Sequence, residues 1–273
     1  MAGSVASARR VADRSPLSTQ IRDLLAGIGD FVDFVLAICR AVPRRNFNTP
    51  ELIREAWKLA GIVIVPTALV SIPLGAVVAL QIGSLTQQLG AQSFAGAASV
   101  VAIVREGAPI ATALLLAGAG GSAICADFGS RKIREEIDAL EVLGVDVIHR
   151  FVLPRVVAAA IVAVLLTSVV MGVGIAGGYL FNVMLQGGTS GVYVQSFATL
   201  ATIPDLWSSL VKGLVFGIIA GVVGSYKGLH ASGGPKGVGQ AVNETVVMTF
   251  LLLFTVNFFL TTAYFALFPQ VGG

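Results

Sequence analysis

The chain has 273 residues, of which 55% are hydrophobic and only 12% are charged, against about 25% charged residues in ordinary soluble domains. Its mean hydropathy of +0.86 excludes a water-soluble enzyme with one large core and indicates an integral membrane protein. The formal net charge of +3 is too small to predict a nucleic-acid partner.

The first 56 residues are predicted to lie outside the membrane core. Residues 1–16 are polar and small, and are predicted to form a disordered cytoplasmic tail. Within the region 17–56, apolar residues recur at helical spacing from Leu17 to Val42, with Arg and Asp between them. This pattern predicts an amphipathic helix in the membrane interface. A soluble helix that docks on a partner is the alternative.

Residues 57–268 contain five apolar segments, each long enough to cross a bilayer, which needs about 20 apolar residues. The segments cover about 57–81, 94–126, 151–185, 206–229 and 244–268. A helix is predicted to start near Thr49, a candidate N-cap, and to run into the first segment. The second is longer than necessary, and Gly107 with Pro109 offers a place for it to break. The sequence therefore predicts an all-α membrane protein with five transmembrane helices.

The distribution of positive charge predicts the orientation of these helices. Lys and Arg are concentrated before the first segment and in the connectors after the second and fourth segments. Residues 82–98, 186–204 and 269–273 contain no Lys or Arg. By the positive-inside rule, the N-terminus lies in the cytoplasm and the C-terminal tail, 269–273, lies outside the inner (plasma) membrane.

Arg105 and Glu106 are adjacent charges about a dozen residues into the second apolar segment. A charged side chain at such depth is costly and marks a functional site by default. Neighbouring side chains on a helix point about 100° apart, so each is free to pair with another helix or with the polar head of a lipid. A structural pairing with Gln81, Lys212 or Glu244 is the alternative.

A run of small residues, 117–123, follows this pair in the same segment. Because it has no bulky side chain on any face, it predicts close contact with another helix, in this chain or in a second copy. Ordinary packing within one bundle is an equal alternative. The residues predicted to pack are Gly118, Gly120, Gly121 and Ser122.

The connector after the second segment is predicted to form a short cytoplasmic helix from Ser130 to Gly144, with Gly144 in the position that ends a helix. An apolar stripe is formed by Ile133, Ile137, Leu140 and Leu143, and an acidic face by Glu135, Glu136, Asp138 and Glu141. Because the inner leaflet is negative, an acidic helix favours a protein partner, such as an ATPase that transmits motion to the membrane domain. A solvated surface helix is the alternative.

The chain contains no phosphate-binding loop of the form G-x-x-x-x-G-K followed by Ser or Thr. Its two cysteines, Cys39 and Cys125, show no metal or redox spacing. We therefore expect no metal site, no cofactor and no catalytic centre in this chain, with ATP bound by a partner subunit.

The central part of the sequence resembles the MlaE/YrbE permease family, the membrane subunits of ABC-type lipid transporters that work with MCE proteins. The resemblance covers about residues 55–268. The motifs that carry it are Arg105-Glu106-Gly107-Ala108-Pro109, Gly121-Ser122-Ala123, Glu136-Ile137-Asp138-Ala139-Leu140-Glu141 and Pro154-Arg155.

This resemblance implies a dimer of permeases with a lipid pocket between them, two cytoplasmic ATPase subunits and extracytoplasmic MCE proteins. It implies that lipid is bound by Arg105 and Glu106, together with Val78, Gln81, Thr86 and Leu89. The residues implied in ATPase coupling are Arg134, Glu135, Glu136, Asp138, Leu140, Glu141 and Gly144. Ala119 stands where the family often has Arg, which favours a non-identical partner permease, as in actinobacterial systems whose A-type subunit this chain resembles.

The predicted function is that of a permease subunit in an ATP-driven MCE-type transporter, which moves a hydrophobic lipid or sterol across the inner membrane, with import the expected direction. One alternative is a proton-coupled secondary transporter in which Glu106 or Asp127 relays protons. Another is a non-transporting membrane scaffold for extracytoplasmic lipid-binding proteins.

Overall fold

A computed structural model describes residues 16–42, 49–91, 94–185, 190, 191, 193, 195 and 202–268. Five helices within these residues are long and apolar enough to cross a membrane, and no strand occurs in the described part of the chain. The predicted all-α class with five spans is therefore confirmed. The predicted tail 269–273 and, apart from residue 16, the predicted tail 1–16 lie outside the described residues.

The chain divides into two compact units, Met1–Arg45 and Asn46–Gly273. The described residues of the first unit form the helix α1 (Pro16–Ala41), close to the limits that the apolar pattern predicts. The second unit contains the five spans. The location of α1 in the membrane interface stays a prediction.

The first span, α2 (Thr49–Gln88), begins at the predicted helix start near Thr49, ahead of the apolar segment 57–81, and ends later than that segment. Its early start has a local reason, because ion pairs three residues apart support the added turns. Arg54 pairs with Glu51, and Lys58 Nζ lies 3.0 Å from Glu55 Oε1.

The second span, α3 (Ala95–Ile133), contains two π-helical turns, Ile103–Gly107 and Leu116–Gly121. The chain does not break at Gly107 and Pro109, as the sequence allowed, but widens into the first of these turns. Pro109 lacks the N–H that would donate to Arg105 O four residues earlier, and Lys212 Nζ donates to that carbonyl instead, so the helix continues past Pro109. π turns are rare and often mark functional positions.

The connector helix, α4 (Glu136–Val142), is shorter than the predicted 130–144. The prediction was wrong at its start because residues 130–133 form the last turn of α3 and Glu135 then adopts a left-handed conformation with φ of 59°. The predicted end is right, since Gly144 has φ of +76° and its N–H donates to Glu141 O at 2.9 Å.

Three more spans complete the bundle. They are α5 (Ile148–Met184), α6 (Ile203–Leu229) and α7 (Gly234–Leu267), and α5 begins with a π turn, Ile148–Val152. The span α7 starts ten residues before the predicted 244, because residues 234–243 extend the helix into the connector.

Small residues bring these helices together within the chain. A Cβ added to Gly75 of α2 would lie 2.0 Å from Gly174 O of α5, and one added to Gly217 of α6 would lie 2.4 Å from Ala159 O. In the predicted packing run, Gly121 faces α6 and α7, whereas Gly118 has nothing within 4 Å of the position of a Cβ. The close contacts are therefore intrachain, and Gly118 remains on the outer surface.

Candidate functional site

The first π turn of α3 holds Arg105 against the first turn of α6. Arg105 Nε donates to Asp205 Oδ1 at 2.5 Å. The other carboxylate oxygen of Asp205 accepts from the Thr202 N–H at 3.0 Å and from the Thr202 hydroxyl at 2.7 Å. The bond from the Thr202 N–H is one half of the capping box that starts α6, in which the Thr202 side chain accepts from the Asp205 backbone N–H. Asp205 therefore both begins a transmembrane helix and neutralises Arg105.

An aromatic residue near the end of α7 completes this pairing. The Tyr264 hydroxyl donates to Asp205 Oδ1 at 2.5 Å. The Arg105 guanidinium carbon lies 5.7 Å from the centroid of the Tyr264 ring and 6.0 Å from that of Phe265, within the range of cation–π attraction. Among the described residues, the two terminal amino groups of Arg105 have no hydrogen-bond partner, and 17% of the side chain is exposed.

Glu106 points to a different set of partners. Its Oε1 accepts from Lys212 Nζ of α6 at 2.8 Å and from the Thr261 hydroxyl of α7 at 2.9 Å. Its Oε2 accepts from Asn257 Nδ2 at 3.1 Å. The Lys212 side chain is 3% exposed, whereas 37% of Glu106 is exposed. The buried ammonium is thus paired with a carboxylate that still reaches the surface.

The π turn also exposes backbone acceptors that α6 satisfies. Lys212 Nζ donates to Arg105 O at 3.0 Å, and the Ser209 hydroxyl donates to Val104 O at 2.6 Å. Widening a helix frees carbonyls from their usual partners, and a buried carbonyl needs a donor. The donors of α6 therefore stabilise the irregular turn that carries both charges.

The cluster forms a polar column that runs inward from one end of the bundle. Asp205 is in the first turn of α6 and Tyr264 in the last turn of α7. Lys212 and Asn257 are each seven residues away on these helices, about 10 Å deeper. Arg105 therefore lies level with two helix ends, and Glu106 marks the inner part of the column.

Two apolar grooves border the first turns of α6. One, with a volume of about 470 Å³, lies between α6 and α7 and includes Lys212 and Tyr264 in its lining. The other, of about 370 Å³, includes Val104 of α3, Met171 of α5 and Leu206 of α6. Both are open surfaces with almost entirely apolar walls, suited to hydrocarbon chains.

The other residues implied in lipid binding lie on or just beyond α2. Gln81 and Leu89 are exposed, Val78 is half-buried, and Thr86 is buried with its hydroxyl donating to Ile82 O at 2.8 Å. The hydrogen bonds of the Arg105–Glu106 cluster do not include these residues. Their role stays a prediction.

The connector differs from the predicted arrangement of one apolar stripe and one free acidic face. Ile137 is buried, but Val142 and Leu143 are largely exposed. Arg134 Nε lies 2.8 Å from Glu136 Oε1, and Lys132 pairs with Asp138. Two of the four predicted acidic residues are thus paired within the chain, which leaves Glu135 and Glu141 with exposed, unpaired carboxylates among the described residues.

The sequence interpretation considered Lys212 as a structural partner of the Arg105–Glu106 pair, but it missed Asp205, Tyr264 and Asn257. A signal was present, because Asp205 and Lys212 are seven residues apart in an otherwise apolar segment, and two full turns place them near one face. Such a spacing predicts two counter-charges for an adjacent Arg-Glu pair.

Comparisons with known proteins agree with this architecture. The family model described as Permease MlaE matches residues 52–263. A Rickettsia bellii protein named "Probable ABC transporter permease protein" is 31% identical over 69% of this chain and 73% of its own length. The Haemophilus influenzae "Intermembrane phospholipid transport system permease protein MlaE" is 30% identical over 66% of this chain and 69% of its own length. For a Synechocystis relative, "Probable ABC transporter permease protein slr1045", identity is 34% over 52% of this chain and 54% of that protein.

Proposed function

Because the chain belongs to the MlaE permease family, we propose that it is the membrane-spanning subunit of an ATP-driven transporter that imports a hydrophobic lipid or sterol across the inner membrane. The name of the Haemophilus relative, which refers to intermembrane phospholipid transport, supports a lipid cargo. The apolar grooves beside a charged column support a cargo with hydrocarbon chains and a polar end.

The proposed partners are a second permease, two cytoplasmic ATPase subunits and extracytoplasmic MCE proteins. Ala119, in place of the Arg that the family often has, supports a non-identical second permease. The charge distribution along the sequence supports a cytoplasmic N-terminus and an extracytoplasmic C-terminus.

The observation that carries the proposal is the pairing of Arg105 with Asp205, at the end of the polar column that lies level with the helix ends. Arg105 uses only Nε for this pairing, so its terminal amino groups are available to an anionic or zwitterionic head group. A head group that binds there competes with Asp205, and loosening of this pair frees α3 from α6. Arg105 therefore both meets the polar end of the cargo and gates the cavity.

Reconstitution of the permease with its ATPase, the second permease and the MCE proteins in proteoliposomes tests this function. We expect ATP-dependent movement of fluorescent lipid, unaffected by an ionophore that collapses the proton gradient. The variant Arg105→Ala is expected to lower the rate about 10- to 100-fold, whereas Lys227→Gln, which removes a pair at the other end of α6, should transport normally.

Three outcomes of this experiment count against the proposal. Wild-type transport by Arg105→Ala would refute the role of the guanidinium. Transport that follows the proton gradient without ATP would replace the proposal with a secondary transporter, and an absence of any transport with MCE proteins still bound would favour a scaffold.

The connector is proposed to dock in a groove of the ATPase and to couple hydrolysis to movement of the spans. Its exposed Val142 and Leu143 supply an apolar anchor, and Glu135 and Glu141 supply free charge. Charge reversal of Glu135 and Glu141 together should abolish co-purification of the ATPase. Reversal of Glu136 is a poorer test, since it also breaks the pair with Arg134. Intact co-purification by the double variant would refute the docking role.

A further inference from the structure

Arg155 is a buried guanidinium shared by three spans at the connector end of the bundle. Its side chain is 1% exposed, although it carries a full charge. From α5, its Nη2 donates to Asp127 Oδ2 of α3, and its Nε lies 3.5 Å from Glu55 Oε2 of α2. The guanidinium carbon lies 4.2 Å from the centroid of the Phe128 ring, a cation–π contact. One side chain therefore joins α2, α3 and α5.

The pairing on the α2 side is incomplete. Within the part of the chain that the structure describes, neither Nε nor Nη1 of Arg155 has a hydrogen-bond partner, although both atoms are buried. Glu51 Oε1, one turn before Glu55 on α2, is also buried without a donor there. Buried polar atoms without partners are rare and call for an explanation. Unused donors on α5 and an unused acceptor on α2 indicate a second arrangement in which the two helices pair more closely.

On the α3 side, Asp127 has a second cationic partner, Arg131, that takes the place of Arg155. Asp127 Oδ2 lies 3.5 Å from Arg131 Nε, one turn further along α3, and 37% of the Asp127 side chain is exposed. If Arg155 leaves Asp127, this carboxylate keeps Arg131 and water, while Arg155 gains Glu55 and Glu51. Neither arrangement leaves a buried charge unpaired, which is the condition for two states of similar free energy.

We propose that Arg155 is a positioning residue that exchanges its carboxylate partner, from Asp127 to the Glu51–Glu55 turn, as the transporter binds ATP. The connector helix α4 leads to Arg155 through residues 143–147 and the π turn Ile148–Val152, so movement of the connector is transmitted to the start of α5 along this short segment. Exchange of the partner then pulls α2 relative to α3. The inference rests on the proposed function, because the ATPase supplies the movement.

The test measures the separation of α2 and α5 in the complete reconstituted complex. Nitroxide labels at Ile62 and Ile161, both exposed, report this distance by double electron–electron resonance, with Cys39 replaced by Ser. We expect two distance populations whose ratio shifts on addition of ATP. Asp127→Asn should shift the nucleotide-free ratio towards the ATP-bound one, and Glu55→Gln should shift the ATP-bound ratio back.

Transport and hydrolysis are measured on the same samples. In both variants, lipid moved per ATP hydrolysed should fall about 5- to 100-fold while hydrolysis continues, which a purely structural role would not produce. Glu244→Gln is the matched control, because it removes the 2.8 Å pair with Lys227 that joins α6 and α7 and should change neither quantity. Arg155→Lys keeps the charge but cannot reach both sides at once, so it should hold one population.

The exchange would be overturned if Asp127→Asn, Glu55→Gln and Arg155→Lys all kept the wild-type ratio of the two distance populations and the wild-type amount of lipid moved per ATP hydrolysed. The proposed function would remain intact in that case. Wild-type complex that shows no ATP-dependent transport would refute the proposed function itself, and the exchange with it.

Discussion

Substitution of Lys212 by Met tests whether the polar column is one coupled unit. Lys212 Nζ makes three hydrogen bonds, to Glu106 Oε1, Arg105 O and Thr261 Oγ1, at 2.8–3.0 Å. Interhelical hydrogen bonds in membranes contribute about 0.6 kcal/mol each, so three lost bonds amount to about 2 kcal/mol. Loss of one partner from a buried ion pair in soluble proteins costs about 3–5 kcal/mol.

Lys212→Met is expected to lower the free energy of unfolding by about 3 kcal/mol, between the values for three lost bonds and for a broken buried pair. The loss stays moderate because Glu106 is partly exposed and keeps its bonds to Asn257 and Thr261. Glu106→Gln should cost about 2 kcal/mol, since it leaves a buried ammonium with a neutral acceptor. The double variant should lose less than the sum, by about 1.5 kcal/mol, because no unpaired charge remains.

Reversible unfolding in mixed detergent micelles, followed by Trp fluorescence, measures these three free energies. A double-variant cycle in which the two losses simply add would show that Lys212 and Glu106 do not stabilise one another, and would refute the reasoning. Glu244→Gln, outside the column, provides a reference for the loss of an exposed pair, which is expected to stay below about 1 kcal/mol.

Three further predictions concern single positions. Gly75→Ala should destabilise the bundle by about 1–3 kcal/mol in the same unfolding assay, because its Cβ would collide with Gly174 O. Gly172→Ala, with nothing within 4 Å of the position of a Cβ, should be neutral or stabilising. Equal effects of the two substitutions would contradict the packing. Glu135→Gly should raise stability by about 0.5–1 kcal/mol, since it relieves a φ of 59°, and a decrease would argue against the left-handed turn. Tyr264→Phe should lower the free energy of unfolding by about 1 kcal/mol, because it removes the hydrogen bond to Asp205. An unchanged free energy of unfolding would show that the hydroxyl bonds to water instead.

The amino-acid sequence by itself determined the number of spans, their approximate limits and the positions at which charge interrupts them. These are local properties, because a helix in lipid satisfies its own backbone hydrogen bonds and needs only a sufficiently long apolar segment. The end of the connector helix at Gly144 was likewise predictable, since a left-handed residue after a helix favours Gly. The early start of α7 was missed because hydropathy falls before the helix does. At the start of α2, which was predicted near Thr49, charged residues such as Arg54 and Lys58 continue the helix through pairs with carboxylates one turn away.

Only the tertiary structure decided which charges neutralise one another. Arg105 and Asp205 are one hundred residues apart in sequence, and their meeting depends on the rotation of α3 about its axis, which the π turn changes locally. The same holds for Arg155, whose pairing with α2 and α3 no local pattern indicates. Hydropathy reports how deep a charge lies, but the identity of its partner depends on which helix faces it, and that is fixed by the close approach of glycines such as Gly75 and Gly217 on neighbouring spans.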